Sequence, residues 1–128
     1  MAKLQTIQKD NKVYSMEIPY STEERYVGTW YNGKKIYERT FMYENRTLNA
    51  KQETRIEHAI NNIEDIIDLK VLTKLGWETS WCTEAYLAID IGIITKATAR
   101  DLVFSNRSSN NWKFNKLQTI IRYTKTTD

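Results

Sequence analysis

Cysteine is almost missing from this sequence: Cys82 is the only one in 128 residues, so no disulfide can close within the chain. That excludes a small disulfide-stapled secreted scaffold and fits a protein made in a reducing compartment. Histidine is equally scarce, with His58 alone, and there is no Cys-x-x-Cys pair, so no zinc site and no other metal or cofactor is expected. Long apolar runs are lacking too. The longest, near Leu87 to Ile94, is broken by Asp90 and Gly92, which argues against membrane insertion. Met1-Ala2-Lys3-Leu4 leads directly into polar sequence, so no secretion leader is expected. One proline (Pro19) and four glycines leave no linker, and no internal repeat is visible.

What is present suits one globular domain. Hydrophobic residues make up 41% of the chain, aromatic residues 12% and charged residues 27%, enough to bury a core without staples. The net charge is +3, with both signs interspersed. Lys113, Lys116, Arg122 and Lys125 lie among Trp112, Phe114 and Tyr123, a mixture that can grip single-stranded nucleic acid. A charge this small gives a weak field, and a solvated strand face is the better reading, so no nucleic-acid partner is expected.

The first eighteen residues hold two short apolar segments, Leu4 to Ile7 and Val13 to Ile18, separated by the turn-like Lys9-Asp10-Asn11-Lys12. With Pro19 behind them, residues 1–19 read as an arm or opening strand, and 20–128 as the domain proper. Asn32-Gly33 then predicts a two-residue type I′ hairpin turn between two runs rich in aromatic and β-branched residues. The implied cross-strand pairs are Tyr31 with Lys34, Trp30 with Lys35, Thr29 with Ile36 and Gly28 with Tyr37.

The middle of the chain supports two readings. Ile56, Ile60, Ile63 and Ile67 recur with helical spacing, and Asn49 followed by Gln52 is similar to a capping box. The rival is two strands, Arg55 to His58 and Ile63 to Leu72, joined at Asn61-Asn62. Farther on the pattern is β. Ala85, Leu87, Ile89, Ile91 and Ile93 alternate, Leu102-Val103-Phe104 is a short apolar run, and Leu117, Thr119, Ile121 and Tyr123 share one side of a final strand. Asn106 to Asn111 is a turn cluster.

Ingredients for catalysis are few. His58 and Cys82 have no recognisable third partner or oxyanion-hole motif, and both read as structural. Glu64, Asp65 and Asp68 lack the ligand spacing of a calcium loop. Glu23 and Glu24 are adjacent, so they cannot flank one glycosidic bond from a strand. No catalytic residue is assigned. Asn45-Arg46-Thr47 and Asn106-Arg107-Ser108 match the glycosylation pattern and are read as loop sequence. Trp77, Trp81, Tyr86 and Trp112, in or beside loops and strand ends, are the candidates for binding a glycan or a protein receptor; core or interface packing is the competing use of such rings.

Two end motifs carry a resemblance. Tyr20-Ser21-Thr22-Glu23-Glu24, Val27-Gly28-Thr29-Trp30 and Asn32-Gly33-Lys34 with Ile36-Tyr37 resemble the opening of a domain common in bacteriophage tail-fibre and tail-tip proteins. Ile121 to Asp128 is similar to that family's C-terminal end, Asn106-Arg107-Ser108-Ser109 to its Asn-Arg-Ser loop, and His58, Ile60, Asn62 and Ile63 to its middle segment. The resemblance implies an all-β antiparallel sandwich, jelly-roll-like, and turns Arg55 to Leu72 from helix to strands, with one short helix within 50–62 as the alternative. It also implies a non-enzymatic virion protein, made in the bacterial cytoplasm, trimeric and displaying a host-binding surface. In that family the domain ends a much longer fibre, so residues 1–19 are the expected attachment to other virion proteins. A head fibre, capsid decoration or baseplate accessory is the alternative role.

Overall fold

The computed structural model describes residues 5–9, 12–16, 21–75 and 80–127. Its organising element is the last strand, β10 (Trp112–Lys125). Leu117, Thr119, Ile121 and Tyr123 are fully buried along one side of it. Branched and aromatic residues of this kind fill a pleated surface that is covered on one face. Two other long strands, β4 (Lys35–Leu48) and β6 (Ile63–Leu75), flank β10, and both run antiparallel to it. Adding β3 (Arg25–Thr29) outside β4 and the short β7 (Cys82–Thr83) outside β6 gives a five-stranded sheet in the order β3-β4-β10-β6-β7. A second sheet of three strands has the order β5-β9-β8, from β5 (Glu53–Glu57), β9 (Asp101–Asn106) and β8 (Ile93–Ala97). Near the N-terminus, β1 (Gln5–Lys9) and β2 (Lys12–Met16) pair as a hairpin that is a sheet of its own, with Ile7 opposite Tyr14.

The two larger sheets pack face to face. Leu48, Val71, Leu75, Phe114 and Leu117 from the five-stranded sheet meet Ile93, Leu102 and Phe104 from the three-stranded one. A second, smaller cluster of Ile60, Ile121 and Tyr123 closes the far end of the same face. The architecture is the expected all-β antiparallel, sandwich-like one. In β4, Asn45 has φ 53°, and opposite it β10 is irregular between Phe114 and Lys116. The extra residue lets Phe114 and Leu117, three apart, enter one core.

The helical alternative for 50–62 is corrected by the structure. β5 occupies Glu53–Glu57, and the connection to β6 contains Ala59 at φ 58° and Asn62 at φ 61°. Neither angle belongs to a right-handed helix. The isoleucine spacing instead serves two strands and a turn, with Ile60 buried in the smaller cluster.

The helix lies elsewhere, in the segment whose alternation predicts a strand. Thr83 caps α1 (Glu84–Tyr86), its Oγ1 accepting from the Tyr86 amide at 3.5 Å. The chain continues as a π-helical turn over Leu87–Ile91 and stops at Gly92, at φ 85°. Leu87 and Ile91, four residues apart, are buried, while Ile89 between them is 81% exposed. A strand would have put all three on one face.

The Asn32-Gly33 hairpin forms, but its register is shifted by one from the expectation. The loop has three residues, Tyr31-Asn32-Gly33. Trp30 N–H donates to Lys34 O at 2.8 Å and Gly33 N–H donates to Trp30 O at 2.9 Å. Only Gly33, at φ 84°, takes the left-handed conformation, whereas a type I′ turn needs two such residues. Asn32 instead accepts the Lys34 amide on its Oδ1 at 3.1 Å. The pairs become Thr29 with Lys35, Gly28 with Ile36 and Tyr26 with Tyr37, with an irregularity at Val27.

Candidate binding surface

One end of the molecule is built around the side chain of Asn106, which is 1% exposed. Its amide nitrogen donates to Leu48 O at 2.9 Å and to Asn110 O at 2.8 Å. Its Oδ1 accepts from Ser108 N at 3.0 Å and Ser108 Oγ at 2.7 Å. All four hydrogen-bonding capacities of the amide are thus used, as burial requires. The Asn-x-Ser pattern at this position is therefore a structural device, with no amide nitrogen left for a glycan.

The loop that Asn106 folds reaches three neighbours. Ser108 O accepts from Lys51 N at 3.2 Å, Asn111 Oδ1 accepts from Ala50 N at 2.7 Å, and Arg107 N donates to Gly92 O at 2.9 Å. The last bond fixes the end of the helical turn against the loop. A Cβ on Gly92 would stand 3.4 Å from Ser108 Cβ, on a backbone already at positive φ. The segment running from β7 to Gly92 is thereby pinned at its C-terminal end and capped by Thr83 at its start.

Tyr86 and Ile89 are exposed within this bracket and Trp81 immediately before it, while Tyr31 in the β3–β4 loop is more exposed than any of them. Trp81 is 44% exposed, Tyr86 43% and Ile89 still more. Of the four aromatic candidates, Trp81 sits just before β7 and Tyr86 at the end of α1. Trp112 is placed differently: half-buried, it packs against the main core and its Nε1–H donates to Ser108 Oγ at 3.1 Å. It supports the bracket through Ser108. Trp77 lies outside the described residues. Ile89 is not among the sequence candidates, because the alternation from Ala85 to Ile93 predicts a strand through it. The signal that finds it is the spacing of Thr83, an N-cap residue, from Gly92, a C-terminal stop.

The opposite end is polar. The Tyr123 hydroxyl donates to Glu24 Oε2 at 2.5 Å, and Lys125 Nζ reaches the other oxygen of the same carboxylate. Burial, and then the hydrogen bond to Glu24, hold the Tyr123 phenol far above its usual range. Tyr37 stacks on Tyr123 at 6.1 Å, and Lys125 Nζ lies 4.5 Å from the Tyr37 ring centre. Lys34 completes the group, donating to Lys125 O at 3.1 Å and pairing with Glu64 at 2.8 Å. The two end motifs thus meet in space: Ser21 O accepts from Thr40 N, Thr22 O accepts from Arg39 Nε, and Glu24 holds the last strand.

His58 is buried with both ring nitrogens engaged. Nε2–H donates to Thr98 O at 2.8 Å, and Nδ1 accepts from Ile60 N at 3.1 Å. It ties the β5–β6 turn to the loop between β8 and β9. Cys82 is half-buried in the edge strand β7. Asp65 and Asp68 are exposed and Glu64 is in its ion pair with Lys34. The late basic residues alternate in the same way: Lys116 pairs with Glu44, Arg122 with the buried Glu38 at 2.8 Å, and Lys125 with Glu24, while Phe114 and Tyr123 face inward.

Comparison of the chain with family models, curated proteins and solved structures finds no match.

Proposed function

We propose that this chain is a non-enzymatic bacteriophage virion protein, a tail-fibre or receptor-binding module that presents a host-binding surface. The observation that carries the reading is the exposed set Trp81, Tyr86 and Ile89, the last two on a segment hydrogen-bonded at both ends and the first just before it. Rings and aliphatic chains left open on a fixed scaffold lose little entropy when a partner covers them. The meeting of the two end motifs at Glu24 and Tyr123 adds support, because residues that carry the family resemblance form one structural clasp. A glycan face or an apolar protein patch on the host is the class of receptor such a surface takes.

A second reading is a head fibre, decoration or baseplate accessory that touches only other virion proteins. It is favoured by the β1–β2 hairpin, which pairs as a sheet separate from the other two. Two strands alone are marginal in water, so a hairpin of this kind gains stability from a surface to pack on. Residues 1–19 are accordingly the proposed attachment to the particle under either reading.

The solution mass of the purified protein, measured by light scattering on a sizing column, separates the two. A stable homotrimer is the result expected of a fibre-tip module. A monomer contradicts it and favours the decoration or accessory role.

A further inference from the structure

The five-stranded sheet is wider than the three-stranded one, and on the inner face of β4 Arg39, Phe41 and Tyr43 are half-buried while Arg46 is exposed. β8 packs over β6, so the order β5-β9-β8 brings β5 toward β4 as the free edge of the smaller sheet. The inner face of β4 is therefore only partly roofed. Along this shelf Arg39, Phe41, Tyr43 and Arg46 form one column. Arg39 Cζ is 4.8 Å from the Phe41 ring centre, and Arg46 Cζ is 5.1 Å from that of Tyr43. Between them the two rings lie 6.5 Å apart and within 6° of parallel. The irregular backbone at Asn45 is what returns Arg46 to the same side as Tyr43.

Neither guanidinium takes part in an ion pair among the described residues, whereas Lys34, Arg55, Arg100, Lys116, Arg122 and Lys125 each do. Arg39 commits only its Nε, to Thr22 O at 2.9 Å. An arginine laid on a ring is already ordered, and its planar fork suits a carboxylate in bidentate fashion. Two such forks on one shelf, separated by two rings, match a chain that carries carboxylates at intervals.

We infer that this shelf binds an acidic polysaccharide, with Arg39 and Arg46 each taking a uronate-type carboxylate and the edges of Phe41 and Tyr43 lying against the sugar backbone. Single-stranded nucleic acid fits less well. Base stacking needs an open ring face, and here the faces are directed at each other and at the guanidinium groups. An acidic peptide added as a new strand along the part of β4 beyond Glu38, which β3 does not pair, is disfavoured by the positive φ of Asn45 and the exposed charges of Glu44 and Arg46. The inference rests on reading the chain as a binding module.

The test uses the full chain and three polymers: polygalacturonate, neutral dextran and oligo-dT. The expected result is binding to polygalacturonate alone, weakened about tenfold or more in R39Q/R46Q and unchanged in R100Q, which alters a cation of an unrelated ion pair. Melting temperatures of all three proteins confirm that each is folded. Equal binding of polygalacturonate by the double variant, no binding by the parent, or equal binding of oligo-dT overturns the shelf. Adsorption of labelled protein to bacterial cells is measured in parallel. Adsorption that survives R39Q/R46Q while the parent protein binds no polygalacturonate rejects the shelf and leaves the binding-module reading standing.

Discussion

Tyr123, fully buried in the final strand, donates its phenolic hydrogen to Glu24, 99 residues earlier in the chain. The same carboxylate receives Lys125, so one glutamate fastens the segment before β3 to the end of β10. A hydrogen bond to a charged acceptor is worth more than a neutral one, and Tyr123→Phe should lower stability by about 1–2 kcal/mol. Glu24→Gln should have a similar effect, and the double variant should lose less than the sum. Urea unfolding of the four proteins as a cycle measures this coupling. Strict additivity would mean that the Tyr123–Glu24 hydrogen bond contributes nothing.

The same phenol predicts a response to alkali. Burial first, and the Glu24 hydrogen bond second, raise the folded pKa of Tyr123 above that of the unfolded chain. A raised folded pKa means that stability is fully present below the unfolded value, about 10 for tyrosine, and falls as pH rises beyond it. The unfolded form releases a proton there while the folded form keeps it. Denaturant midpoints from pH 8 to about 11 should therefore stay level and then drop. The drop should be shallower in Tyr123→Phe; an identical slope in both proteins would contradict the assignment.

At the other end, Asn106→Ala removes an amide that uses all four of its hydrogen-bonding capacities and strands Leu48 O and Ser108 N without their partner. The expected loss is about 2–4 kcal/mol, against less than about 0.5 kcal/mol for the exposed neighbour Ser109→Ala. Gly92→Ala should also destabilise, because its backbone is at φ 85° and Ser108 stands against the added methyl. Thermal melts of the three variants decide between a built scaffold and an incidental loop.

Much of this scaffold is legible in the sequence, for identifiable reasons. β10 announces itself because Leu117, Thr119, Ile121 and Tyr123 recur at every second position on its covered face, even though Ile120 on the other face is buried as well. The hairpin is marked by Asn32-Gly33, but the dipeptide does not say whether one or two residues go left-handed, and a three-residue loop moves the pairs at Thr29 and Gly28 by one, with a further shift beyond Val27. Leu87 to Ile93 misleads because a helix needs only Leu87 and Ile91 to be buried, and apolar residues between them restore an apparent β pattern. The isoleucine stripe from Ile56 to Ile67 misleads in the opposite sense, since two strands and a turn can reproduce helical spacing. Among the binding candidates, Trp81 and Tyr86 are exposed, while Trp112 is drawn inward by a hydrogen bond to Ser108 that no local pattern announces.

The proposed role depends on the exposed side chains of Trp81 and Tyr86, and labelled protein offered to a panel of bacterial strains tests it most directly. Trp81→Ala/Tyr86→Ala changes two side chains that are each nearly half exposed, so the variant should keep its parent's stability within about 1 kcal/mol. The prediction is adsorption by the parent protein to at least one strain and its loss in the folded double variant. Undiminished adsorption by that variant would contradict the proposed host-binding surface.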